Sequence, residues 1–205
     1  LTTPYRGLGR PPGSALKLIS LVNAPAFEHI HAIIGYKSGN IWLNDKNHGL
    51  IKYSSKAERY GPKKILLRGL DEKSDITSLY QDTFGNIWIG TMGKGIYILD
   101  PTDEHYRVFT ENNVFNNASV LSINGLGRSV YISSLQGSMA ISLSDINNNI
   151  NSASSFTGYD NNSTGTNYVY TIFKDGKERT WLAKNEKSQS KPDKNIFTYY
   201  NDKKK

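Results

Sequence analysis

Cysteine is absent from this 205-residue chain, methionine occurs twice and tryptophan three times. No apolar run approaches the roughly 20 residues that a membrane helix needs. Without cysteine there is no disulfide framework, no thiolate zinc site and no thiol nucleophile. The compartment stays open, because exported bacterial proteins are often free of cysteine. The chain starts at Leu1 with no charged-then-apolar leader, the expectation for a soluble piece that was excised or processed. Charge is also scarce outside one end. The net charge is +7, yet residues 170 to 205 hold ten Lys/Arg against five Asp/Glu, leaving +2 for the rest. A basic tail ending Lys203, Lys204, Lys205 reads as a solvated terminus, so nucleic acid is not an expected partner. What remains is core-forming: 37% hydrophobic residues, with 18 Gly, 13 Tyr and 7 Phe, exclude a wholly disordered chain. The length fits one domain or a compact array of short repeats.

Self-similarity decides between those two. IHAIIGYKSGNIWLNDKNHGLIKY from Ile30 and ITSLYQDTFGNIWIGTMGKGIYIL from Ile76 share Ile30/Ile76, Gly39/Gly85, Trp42/Trp88 and Gly49/Gly95 at one offset of 46 residues. A third copy runs from Val120, with Tyr131 in the Trp place and Gly137 in the second Gly place. A fourth runs from Val169, with Asp175-Gly176 at the turn and Trp181 in the Trp place. Each copy reads as a β-branched and aromatic run, a glycine turn, a second run around the aromatic residue, then a third run. The turns at Gly39, Gly85, Gly127 and Gly176 are expected to supply the positive φ of tight hairpins. Runs from Lys63 and His105 add a fourth strand per unit. Meanders of this size cannot cover both faces alone, so neighbouring units must stack. The expected fold class is all-β: four-stranded blades of a β-propeller, about four of them, as part of a larger ring. A sandwich or jelly roll is the alternative. The repeats fall at about 29–74, 75–118, 119–167 and 168–205. An orphan run at 16–22 belongs either to a neighbouring blade that is cut away or to a closing blade of a four-membered ring.

The segment DITSLYQDTFGNIWIGTMGKGIYILD, from Asp75 to Asp100, resembles the two-component-regulator propeller repeat, with its Gly-Asn-Ile-Trp-Ile-Gly-Thr core and following Gly-led strand. The first copy has Asn44-Asp45 where the pattern has Gly-Thr. The third lacks the Trp, and the fourth lacks both the Gly-Thr and the second Gly. The resemblance implies the periplasmic sensor region of hybrid two-component histidine kinases of gut Bacteroidetes, which respond to polysaccharide breakdown products. It implies a parent anchored in the inner membrane whose kinase lies outside this chain. It also implies an oligosaccharide ligand and no catalysis, cofactor or metal here. A propeller lyase or hydrolase and a protein-binding scaffold are the alternatives. An open blade edge would favour self-association.

Single conspicuous residues have packing or turn readings. Trp42, Trp88, Tyr131 and Trp181 share one register and are expected between blades rather than as sugar platforms. His29 and His31 have no third ligand at metal spacing. Asp82 and Asp100 read as turn acceptors, and TMGKG at Thr91 to Gly95 as a strand connection. The Asn-rich stretch 146–167 reads as a long excursion around an outer strand near Phe156. Connections between second and third strands share one side of a propeller. There Asn47, His48, Lys94, Gln136, Lys184 and Asn185 are the candidate ligand-binding residues, suited to hydroxyl-rich or acidic sugars. Trp181 to Ile196 spans 15 residues where Trp42 to Leu50 spans 8, so a seven-residue insertion is expected in the fourth of these loops.

Overall fold

Runs of Ile, Val, Tyr and Trp separated by tight turns pair with their chain neighbours, because an antiparallel ladder satisfies the backbone with only a short connection. The computed structural model describes residues 29–35, 39–54, 61–70, 75–109, 117–135, 137–144, 169–177, 179–188 and 191–201. These form fourteen strands in four antiparallel sheets. The first sheet holds β1 (Ile30–Gly35), β2 (Asn40–Asp45), β3 (Gly49–Ser54) and β4 (Lys63–Ile65). The second holds β5 (Ile76–Gln81), β6 (Ile87–Thr91), β7 (Ile96–Leu99) and β8 (Tyr106–Phe109). The third comprises β9 (Val120–Leu126), β10 (Ser129–Ser134) and β11 (Gly137–Ser142). The fourth comprises β12 (Val169–Lys174), β13 (Arg179–Ser188) and β14 (Lys191–Asn201). Strands neighbour one another in chain order throughout, so every sheet is a meander, and the chain is a run of β-propeller blades. The run Leu16 to Val22 and the excursion near Phe156 lie outside the described residues.

Period-two alternation sends neighbouring side chains of a strand to opposite faces, and this links the blades. Trp42, Leu50, Ile65 and Leu67 of the first sheet pack against Ile76, Leu79, Ile87 and Ile89 of the second. Trp88, Ile96, Ile98 and Phe109, from the other face of the second sheet, meet Val120, Ile123, Val130 and Ile132 of the third. Tyr131 then meets Ile172 and Leu182 of the fourth. Trp42, Trp88 and Tyr131 are buried in these junctions. Trp181 differs: it is partly buried, with the Arg179 guanidinium 5.0 Å from its ring centroid. No described sheet follows the fourth to cover it.

The residue two places after the aromatic sets how closely blades approach. At Gly90 an added Cβ would lie 2.6 Å from Val120 Cγ1, so the β6 backbone rests directly on the third sheet. In the first sheet Asn44 holds that place, and its Nδ2 donates to Ile76 O at 3.1 Å. In the third, Ser133 Oγ donates to Tyr170 O at 2.9 Å. The departures from Gly-Thr in the sequence are therefore alternative ways of joining a sheet to the next one.

Two expectations need correction. Gly39, Gly85 and Gly127 take φ values of 81°, 97° and 59°, but Gly176 does not adopt positive φ. Gly176 stands directly after Asp175, whereas Gly85 stands three residues after Asp82, so the two glycines are not equivalent. The expected long loop from Lys184 to Asn195 is not a loop. β13 and β14 continue as a ladder with Lys184 opposite Ile196, Asn185 opposite Asn195 and Glu186 opposite Lys194. Polar composition suggested a loop, but a two-stranded ladder satisfies its backbone whatever side chains it carries.

Candidate functional site

Backbone hydrogen bonds place the second-to-third connections at one end of the sheets. Lys46 N donates to His29 O at 3.1 Å, Met92 N to Asp75 O at 2.9 Å and Leu135 N to Ser119 O at 3.0 Å. Each of these turns is thus tied to the residue just before the first strand of its own sheet. Gly93 N and Gly95 N donate to Ala118 O at 3.2 and 3.1 Å, tying the β6–β7 turn to the next sheet as well.

The first turn is organised by the buried Asp45. Its carboxylate accepts the backbone N–H groups of His29 and Asn47, each at 3.1 Å, and pairs with His48 Nδ1. In the second sheet Thr91 stands in the place of Asp45. Its Oγ1 donates to Gly95 O at 2.7 Å and accepts Lys94 N–H at 3.2 Å. An aspartate and a threonine therefore close equivalent turns, the first with a charge and the second with a hydroxyl. The exposed Lys94 sends Nζ to Gly69 O at 3.0 Å. Asn47 is exposed and His48 half-buried. Gln136 lies outside the described residues, and Lys184 and Asn185 are placed by backbone only, within β13. The candidate residues that are described thus occupy one end of their sheets, but Lys184 and Asn185 belong to a ladder rather than a loop.

The sequence did not single out an apolar recess beside these turns. A cavity of about 170 Å³ is lined by Leu50, Ile65, Leu66, Leu67, Leu70 and Ile76. The run from Lys63, read as one strand, leaves the sheet after Ile65 and turns through Leu67 and Leu70, where Leu70 N donates to Leu67 O at 2.9 Å. Leu66 is left exposed at the rim. The double Leu in KKILLRG is the only signal the sequence carries for it.

Among the groups with displaced titration Tyr97 lies in β7, just after the β6–β7 turn, whereas Asp100 and Asp175 lie away from these turns. Burial raises the Tyr97 hydroxyl above its ordinary value, with Tyr106 adding to it. The Thr102 hydroxyl and backbone N–H lower Asp100. The Trp181 indole N–H holds Asp175 well below the usual aspartate range, helped by the Arg179 and Lys177 N–H groups and the Arg179 guanidinium, against a partial loss of hydration. Asp100 and Asp175 both close turns at the opposite end of the sheets. Asp100 Oδ1 accepts Thr102 N–H at 2.8 Å, just before Pro101. Among the described residues no three His, Cys, Asp or Glu form a group that could hold a metal ion, and His29 and His31 are exposed.

Two turns at that opposite end share one arrangement. Asp82 accepts Phe84 N–H, Asn86 N–H and the Trp88 indole N–H, each at 2.9 Å. Asp175 accepts Lys177 N–H at 2.8 Å, Arg179 N–H at 3.0 Å and the Trp181 indole N–H at 2.9 Å. The same Asp-x5-Trp clasp thus closes the first turn of two sheets. The family model described as two component regulator propeller matches residues 69–93, which include one of these clasps. Residues 69–93 are thus similar to a two component regulator propeller repeat. The repeat covers the connection into β5, the clasp and β6.

Solved structures share the fold around this propeller repeat. The extracellular domain of a putative hybrid two-component system from B. thetaiotaomicron is 20% identical, with a TM-score of 0.58, and the match covers 82% of this chain and 21% of that one. Virginiamycin B lyase from Staphylococcus aureus is 15% identical with a TM-score of 0.55, covering 83% of this chain and 55% of the lyase. PorZ, a surface component of the type-IX secretion system of Porphyromonas gingivalis, is 13% identical with a TM-score of 0.53, covering 83% and 26%. The chain thus spans about a fifth of the length of the B. thetaiotaomicron domain. No curated protein matches the chain.

Proposed function

We propose that this chain is a ligand-sensing propeller portion of the extracytoplasmic region of a hybrid two-component sensor histidine kinase, with no catalysis of its own. The observation that carries the reading is the two component regulator propeller repeat at 69–93, set in a run of blades shared with the extracellular domain of a putative hybrid two-component system. In this reading the chain lies in the periplasm, and the parent protein continues through the inner membrane to the kinase. The ligand is an oligosaccharide held at the end of the sheets that carries the β2–β3 and β6–β7 turns. Asn47, His48, Lys94, Gln136, Lys184 and Asn185 supply amide, imidazole and ammonium groups there, which suit hydroxyl-rich or acidic sugars.

Two measurements test this. The full reading frame that encodes the chain is expected to continue into a membrane helix and a histidine kinase, and a frame without them removes the sensor assignment. Calorimetry on the intact receptor domain, with a panel of neutral and acidic oligosaccharides, is expected to find one binder. Lys94→Ala and removal of residues 186–192 are each expected to weaken it at least tenfold. Unchanged binding in both variants places the site elsewhere in the parent protein.

A further inference from the structure

The second sheet supplies an internal standard for the recess beneath Leu66. Leu50 and Ile65 stand opposite each other in the first sheet as Ile96 and Phe109 do in the second. Around Phe109 the junction closes, with its ring 6.1 Å from that of Trp88 and packed in one cluster with Ile96 and Val120. Ile65 presents a smaller side chain at the matching place. Leu50 and Ile76, the counterparts of Ile96 and Val120, line a cavity of about 170 Å³ with it. The recess therefore lies where the next junction holds a phenyl ring. Two candidate ligand residues are attached to its walls. Gly49, which lines it, directly follows His48, and Lys94 Nζ is 3.0 Å from Gly69 O in the turn that brings Leu67 and Leu70 to the lining. Ile65 and Leu67 are buried, but Leu66 between them is 78% exposed at the rim.

We infer that the recess is a subsite for a phenyl-sized apolar substituent on the ligand held at this end of the sheets. The inference rests on the oligosaccharide reading above and narrows it to sugars that carry such a group, as an aryl glycoside or aryl ester does. Size and lining argue for this occupant, since an aliphatic cavity of about 150 Å³ stays dry and takes benzene. A sugar ring covered in hydroxyls would lose hydration in such a lining without finding partners. His48 and Lys94 suit the hydroxyl or acidic groups of the same ligand, so polar and apolar contacts converge on one amphipathic molecule. Leu66 adds apolar surface for the edge of the ring that remains at the rim.

Two kinds of probe on the intact receptor domain test this. Fluorobenzene is followed by fluorine NMR, and each oligosaccharide of the neutral and acidic panel is measured by calorimetry both free and as its phenyl glycoside. Fluorobenzene is expected to bind, and Ile65→Phe, which rebuilds the Phe109 arrangement and fills the recess, is expected to abolish that binding. The phenyl glycoside of the oligosaccharide that binds should be held roughly 10- to 100-fold more tightly than the free sugar, through burial of one ring. Ile65→Phe should remove that difference, whereas Lys94→Ala should weaken both members of the pair alike. Leu66→Asp places a charge at the rim and should also weaken fluorobenzene binding. Its position is exposed, so it should keep the wild-type melting temperature and carries the test if Ile65→Phe misfolds. Fluorobenzene that fails to bind, or that binds the wild type and both variants equally, overturns the inference. Equal affinity within every pair overturns it alone and leaves the oligosaccharide reading standing. Binding of neither member of any pair is instead the failure of the oligosaccharide reading, and takes the proposed substituent with it.

Discussion

The carboxylate of Asp82 accepts the indole N–H of Trp88 at 2.9 Å inside the protein, so the residue that closes the first turn of the second sheet also satisfies the one polar atom of its most deeply packed aromatic. The six-residue spacing follows from the turn, which returns the chain to the carboxylate after Asp82 has taken up the N–H groups of Phe84 and Asn86. Asp82→Ala leaves a buried indole donor and two turn N–H groups without their acceptor. A loss of roughly 2–3 kcal/mol is expected by urea denaturation. Trp88→Phe removes the donor, so the double variant should lose less than the sum of the two single losses. Strict additivity would mean that the hydrogen bond contributes nothing.

The close approach at Gly90 gives a second expectation. Gly90→Ala brings a methyl group to 2.6 Å from Val120 Cγ1 and should destabilise by about 1–3 kcal/mol through overpacking. Val120→Ala in the same chain removes the opposing methyls and should restore part of that loss. A tolerated Gly90→Ala, measured by thermal melting, would contradict a tight junction between the second and third sheets.

Burial separates the aromatic residues of the repeat. Trp88→Ala should cost about 3–5 kcal/mol as a large-to-small change in a sealed junction. Trp181→Ala, at a partly buried site, should cost about 1–2 kcal/mol. Equal losses in denaturant midpoint, with unchanged slope, would show that the fourth sheet is as fully covered as the second.

Asp175 gives the chain an acid sensitivity of definite sign. Its carboxyl is held below its ordinary value in the folded state, so it contributes stability that is complete above the unfolded aspartate value of about 4. That contribution declines as pH falls from there through the folded value. Asp100, lowered by Thr102, acts in the same direction. Urea midpoints between pH 5 and pH 2 should therefore fall for the wild type. They should fall less steeply for Asp175→Asn, which starts lower at pH 5. Parallel curves would remove Asp175 from the acid response.

The blades were legible because their information is local. A 46-residue offset that aligns Ile30, Gly39, Trp42 and Gly49 with Ile76, Gly85, Trp88 and Gly95 states the strand order, the turn positions and the packing residue without any long-range contact. Residues whose role depends on two blades at once were not legible in this way. Asn44 looked like a departure from Gly-Thr until its amide was seen to reach Ile76 O, 32 residues away. The recess under Leu66 needed the chain to leave β4 after Ile65, which no period in the sequence announces.

Composition and period by themselves determined an all-β chain of stacked meanders, the turn aspartates Asp82 and Asp100, and the facing of Trp42, Trp88 and Tyr131 toward the next sheet. These follow from alternation and turn chemistry, whose range is a few residues. Only the tertiary structure decided that Lys184 and Asn185 sit in a ladder, that Trp181 is partly exposed, and that Ile33 and Phe173 are left uncovered at opposite ends. Whether a side chain is buried depends on which sheet lies across from it. In a repeat protein the same sequence position is core in the middle of the array and surface at its ends.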